Sequence, residues 1–163
     1  MRKLLLASIV ALLAGCVGGP FASYEFPPGT PREAVVARMG QPQRVFRLPN
    51  GERLEYSMQP FGQQAWMVDV DASGRVMQTR QVLTEENFHR IVPGTWTLAD
   101  VQREFGRPAK VDAVTSWNGA VLTYRWKDVA NSNMFYWVYL DPNNVVQRAH
   151  PGMEFVNAPN ERK

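Results

Sequence analysis

The chain has 163 residues, 45% of them hydrophobic and 11% aromatic, with 18 Lys and Arg against 15 Asp and Glu. That length suits one domain, or two small ones, with a packed core. Arg2 and Lys3 account for two of the basic side chains, so the body of the chain is close to neutral and lacks the clustered positive footprint with which nucleic-acid recognition begins.

Met1-Arg2-Lys3 gives a positive start, Leu4 to Leu13 is almost wholly apolar, and Ala14-Gly15 precedes Cys16, the one cysteine. About ten apolar residues are too few for a helix spanning the roughly 30 Å hydrocarbon core. Charge, apolar run and small residues together form a secretory signal peptide over 1–15. Leu13-Ala14-Gly15-Cys16 resembles the bacterial lipobox, in which cleavage falls before the cysteine and its sulfur and new amine are acylated. The resemblance makes Cys16 the lipid-attachment residue and the membrane a partner through that lipid. A cysteine committed to lipid leaves no thiol for a disulfide, a nucleophile or a zinc site. Residues 16–27 carry Gly18, Gly19 and Pro20 without helical period and read as a tether.

The remainder reads as two copies of one unit, 28–83 and 84–150, followed by a polar tail over 151–163. Pro28-Gly29-Thr30 and Gly40-Gln41-Pro42 answer Pro93-Gly94-Thr95 and Gly106-Arg107-Pro108. Leu54-Glu55-Tyr56 answers Leu122-Thr123-Tyr124, and the turn from Asp71 to Gly74 answers that from Asp141 to Asn144. Several matches in one order mark a duplication.

Each copy opens with a helix. Thr30 with Glu33 predicts a capping box with Pro31 at the first helical position, and Gly40 predicts the stop. Thr97 with Asp100 repeats the start and Gly106 the stop. Val35, Met39, Leu98, Val101 and Phe105 are the core-facing candidates. A short extra helix from Thr84 to about Arg90, capped by Thr84, precedes the second copy.

Three strands follow in each copy. Asn50-Gly51 and Asn118-Gly119 predict type I′ hairpins. Alternation turns Leu54, Tyr56, Met58 and Leu122, Tyr124, Trp126 inward, and does the same for Trp66, Val68, Val70 and Tyr136, Val138, Leu140. The edge strands end near Leu83 and His150. The expected fold is α+β: two tandem repeats of helix plus three-stranded antiparallel sheet, sharing one extended or curved sheet.

Leu83-Thr84-Glu85-Glu86-Asn87-Phe88, Ile91-Val92-Pro93-Gly94-Thr95, Val101 and Phe105-Gly106-Arg107-Pro108 together resemble the helix-turn-helix opening of the SmpA/OmlA family. That family includes the BamE-type small lipoproteins of the outer membrane. A doubled unit of this kind is similar in architecture to the β-lactamase-inhibitor protein. The resemblance covers roughly residues 25 to 150. It implies a non-enzymatic lipoprotein held at the outer membrane and facing the periplasm, with a β-barrel assembly or envelope-integrity protein as partner. Val17 after the cysteine, where Asp would resemble an inner-membrane retention signal, agrees with that address. The alternative implied by the inhibitor-like architecture is an inhibitor or ligand-binding protein gripping its target on a concave aromatic sheet.

Catalytic and metal-binding sets are scarce. His89 and His150 have no pairing as metal ligands, and no Gly-x-Ser-x-Gly stands in the chain. Asp69-Val70-Asp71-Ala72-Ser73-Gly74 imitates the start of a calcium loop, but its twelfth position is Arg80 instead of the bidentate Glu. Asp71 and Asp141 read instead as turn starters bonding the backbone two residues on. No enzyme activity, cofactor or metal is expected. Opposite the core face of the second copy lie Phe135, Trp137 and Tyr139, with Arg125 and Lys127 expected beside them within cation–π reach. Ala65, Met67 and Asp69 hold those places in the first copy and read as solvent-facing. Large aromatics beside Arg are the usual material of binding hot spots, so Phe135, Trp137, Tyr139 and Arg125 are the candidate partner-binding residues. Trp117, beside a hairpin tip, reads either as an interface residue or as one folded back on the sheet.

Overall fold

The structure, a computed structural model, describes residues 24–154. Cys16, the 1–15 segment and the last residues of the tail lie outside them. The elements run α1 (Arg32–Met39), β1 (Arg44–Leu48), β2 (Gly51–Ser57), β3 (Ala65–Asp71), β4 (Val76–Gln81), α2 (Glu85–Phe88), α3 (Leu98–Phe105), β5 (Lys110–Ala113), β6 (Ala120–Lys127), β7 (Asn133–Leu140) and β8 (Val146–Met153). They form two separate antiparallel meanders, β1-β2-β3-β4 and β5-β6-β7-β8.

This corrects the expected fold in two respects. Each sheet has four strands, not three, which leaves the protein mainly sheet, and the two sheets do not merge. The strands beyond the expected three are β4 and β8, which occupy the edges expected to end near Leu83 and His150, each returning from an Asp-led turn to pair with β3 or β7. β4 buries only Val76 and β8 only Val146, and β8 runs through Pro151 and Gly152. As edge strands they lack the alternation that marks a half-buried strand, and Pro is tolerated at an edge.

The helices differ in how they begin. Thr97 and Asp100 form a full capping box on α3. Thr30 does not cap α1; its Oγ1 donates to the Pro27 carbonyl, and Pro31 occupies the cap position. Backbone pairing explains the shift. Thr30 O accepts from Val76 N–H and Arg32 N–H donates to Gly74 O, just as Trp96 O accepts from Val146 N–H and Leu98 N–H donates to Asn144 O. Pro31 is therefore the structural equivalent of Thr97, and Thr30 stands one residue early.

The Asn-Gly pairs do not sit at the centre of type I′ turns. Leu48 pairs with Gly51, leaving Pro49 and Asn50 in the first turn, and the second connection spans residues 114–119. Gly51 and Gly119 are needed for another reason: at φ +153° and +149°, a Cβ would lie 2.0 Å from Val70 O and 1.9 Å from Leu140 O. No larger residue fits where β2 and β6 start against their neighbours.

Packing stacks four layers: α1, the first sheet, α2 with α3, then the second sheet. Val35 of α1 packs with Leu54, Tyr56, Val68, Val70 and Val76, and Phe26, near the end of the tether region, joins this core. Met58, expected inward, is exposed beyond the end of β2. The larger core joins Val101 and Phe105 of α3 and Phe88 of α2 to Leu122, Tyr124, Tyr136 and Val138 of the second sheet. Ala65 and Met67, from the reverse face of the first sheet, belong to it too. That reverse face is therefore interior, and the reading of Ala65, Met67 and Asp69 as solvent-facing is corrected. A tyrosine ties each sheet to its own helix end: Tyr56 donates to Gly40 O at 3.1 Å and Tyr124 to Gly106 O at 2.9 Å.

Candidate functional site

Polar chemistry gathers in two places, the first being the contact between the units. On the reverse face of the first sheet Arg53 binds Asp69 through two hydrogen bonds, 2.6 and 2.9 Å, with Gln78 donating to the same carboxylate at 2.8 Å. The same guanidinium reaches Glu104 at 2.8 Å and the Arg103 carbonyl at 3.1 Å, both on α3. Arg80 and Arg90 approach Glu104 at 3.7 and 3.6 Å. Beside this network, buried Glu55 takes Arg44 at 2.6 Å and the Arg107 amide at 2.8 Å. Burial pushes the Asp69 carboxyl up, but the hydrogen bonds and charge of Arg53, with Gln78 and Arg80, overcome it and hold it below the usual aspartate range. Burial, with the Glu55 charge, pushes the Tyr124 hydroxyl up. Every carboxylate here is fully engaged, so the network docks the units together and offers no free base.

The second place is the outer face of the second sheet. Phe135, Trp137 and Tyr139 project from β7, and the register sets Gly152, His150 and Arg148 of β8 beside them in that order. The Trp137 ring lies over Gly152, where a Cβ would meet it at 2.3 Å. His150 stacks on Tyr139 at 5.5 Å and sits 5.3 Å from Trp137. Arg148 lies 4.0 Å over Tyr139 and 5.5 Å from Trp117. Trp117 is folded back on the sheet, its Nε1 donating to Leu140 O at 2.7 Å and its ring edge-on to Tyr139.

The three aromatics are half-buried, largely among these neighbours, and none belongs to either core cluster of the described residues. Arg125 stands opposite Phe135 on the expected face, but its guanidinium is engaged away from the rings. It pairs with Glu154 at 2.7 Å and donates to the Pro60 and Phe61 carbonyls, fastening the 58–64 connection to the second sheet. The cation that stacks on the aromatics is Arg148. Pairing along β8 was the signal for it, since Arg148 and His150 alternate opposite Tyr139 and Trp137.

No protein-family model and no curated protein matches this chain. Among solved structures it is similar to a DUF4309 family protein (YjgB) from Bacillus subtilis. The identity is 15% and the TM-score 0.33, with 75% of this chain and 77% of that chain covered. A likeness this loose carries no argument about fold or function.

Among the described residues no group of three His, Cys, Asp or Glu side chains converges, and no helix is long and apolar enough to cross a membrane. A shallow cleft beside β2 is lined by Arg32, Arg47, Glu52 and Asp71. Arg32 faces Glu52 there, while Asp71 is spent on the Ser73 and Arg75 amides of its own turn. Asp141 does the same with the Asn143 and Val145 amides, so both act as turn starters. His89 is exposed at the end of α2. A concave surface drawn from both sheets is not available, because the matching face of the first sheet is inside the molecule.

Proposed function

We propose that this chain is a non-catalytic, lipid-anchored binding protein that presents the outer face of its second sheet to an envelope protein on the periplasmic side of the outer membrane. The aromatic ladder of Phe135, Trp137 and Tyr139 with its stacked Arg148 carries this reading. The same strand positions in the first unit hold Ala65, Met67 and Asp69 under a helix, whereas here large aromatics lie outside both cores. Aromatics with Arg in one cluster supply much contact area and little side-chain entropy to lose on binding. Acylation at Cys16 would hold the face near membrane-bound partners and raise its effective concentration there. The lipobox and the SmpA/OmlA-like residues support that address and a role beside β-barrel assembly or envelope integrity.

Fractionation tests the anchor. Cys16→Ala protein is expected in the soluble periplasmic fraction, and its persistence in the membrane pellet would sink the lipid anchor or reveal a second one. Mass measurement of the wild-type N-terminal peptide, which acylation makes heavier, checks the same point independently.

A further inference from the structure

We infer that the outer face of the second sheet receives an acidic amphipathic α-helix of the partner protein, laid over β7 and β8 as α3 lies over the first sheet. The inference rests on the protein-binding reading above and names the partner's chemistry.

The duplication supplies the geometry. Arg53, Met67, Asp69, Gln78 and Arg80 of the first sheet occupy the register positions of Val121, Trp137, Tyr139, Arg148 and His150 in the second. On the first sheet this set is covered by α3, which contributes Phe105 to the shared core and Glu104 to Arg53, Arg80 and Arg90. One helix face thus brings an apolar side and a carboxylate to a sheet carrying a cation, and among the described residues no helix covers the corresponding face of the second sheet.

The side chains favour an acid on the incoming element. Lys110 is paired with Asp112 at 2.8 Å and Arg125 with Glu154 at 2.7 Å, both within the face or at its edge. Arg148 has no carboxylate partner among the described residues; its contacts are the Tyr139 and Trp117 rings. A guanidinium held flat on aromatics keeps its N–H fork free for bidentate recognition of a carboxylate. Pairing this face with a second copy of itself would set like cations together, which disfavours self-association through it.

The test places a photoreactive phenylalanine analogue at position 135 of the full chain in its own envelope and maps the crosslinked peptide by mass spectrometry. The expected adduct is a helical, Glu- or Asp-rich segment of another protein. Its yield should fall about tenfold or more with Arg148→Gln, the scale of one lost charge-assisted hydrogen bond. Arg148 is exposed, so that variant should keep the wild-type unfolding midpoint, which separates lost recognition from lost folding. An adduct to an extended or basic segment, or a yield indifferent to Arg148→Gln, overturns the helix inference and leaves protein binding standing. Adducts only to lipid, to glycan or to this chain, or none at all, overturn both.

Discussion

Asp69 has about 2% of its surface left to solvent and is held ionised by a guanidinium almost as deeply buried. Removing one member of such a pair strands the other, so Asp69→Ala should cost about 3–5 kcal/mol, read as a lowered urea midpoint. The pair also sets an acid limit. Because the folded-state pKa of Asp69 lies below its unfolded value, its contribution is fully present above about pH 4. It is lost as pH falls through the folded value. Urea midpoints taken between pH 6 and pH 2 should therefore drop on acidification in the wild type, and Asp69→Asn should remove part of that drop. Alternation placed Asp69 opposite Val68 and Val70, and that much was legible in the chain. It could not say that the opposite side is also interior, because period two separates two faces without saying what covers either.

At the scale of elements, the two helix starts offer a matched comparison. Thr97→Ala removes a capping box and should lower stability by about 0.5–2 kcal/mol. Thr30→Ala loses only a hydroxyl contact with the Pro27 carbonyl and should cost clearly less. Equal losses in denaturant titrations of the two variants would contradict the assignment of Pro31 as the cap. Local chemistry announced α3, β2, β3, β6 and β7 well, since caps and alternation act over a few residues. It gave only the ends of the edge strands and not β4 and β8 as strands in the count, since their partners rather than their residues make them strands. The hairpin glycines were seen for the wrong reason: the Asn-Gly pair suggested a turn, while the demand comes from carbonyls of β3 and β7 standing where a Cβ would be.

Across the whole molecule the duplication does not produce two independent bodies. The larger core draws on both sheets, and Arg53, Arg44 and the Arg107 amide bind across the contact. Thermal unfolding should accordingly be one transition, with calorimetric and van't Hoff enthalpies agreeing. Two resolved transitions would show that the interface is weaker than its burial implies. The same stacking makes the two sheet faces unequal, one covered by the following helix and the other covered by no helix among the described residues.

The sequence by itself determined the duplication, the capped helix of the second copy and, Met58 apart, the inward-facing positions of four strands. These signals are written in neighbouring residues, whose spacing is enough to state them. The tertiary structure alone decided that the sheets stay separate, that Asp69 and Glu55 are buried, and that Arg148 and His150 join the aromatic ladder while Arg125 turns to Glu154. Each of those depends on which surfaces meet across dozens of residues, and periodicity along a chain carries no record of its distant neighbours.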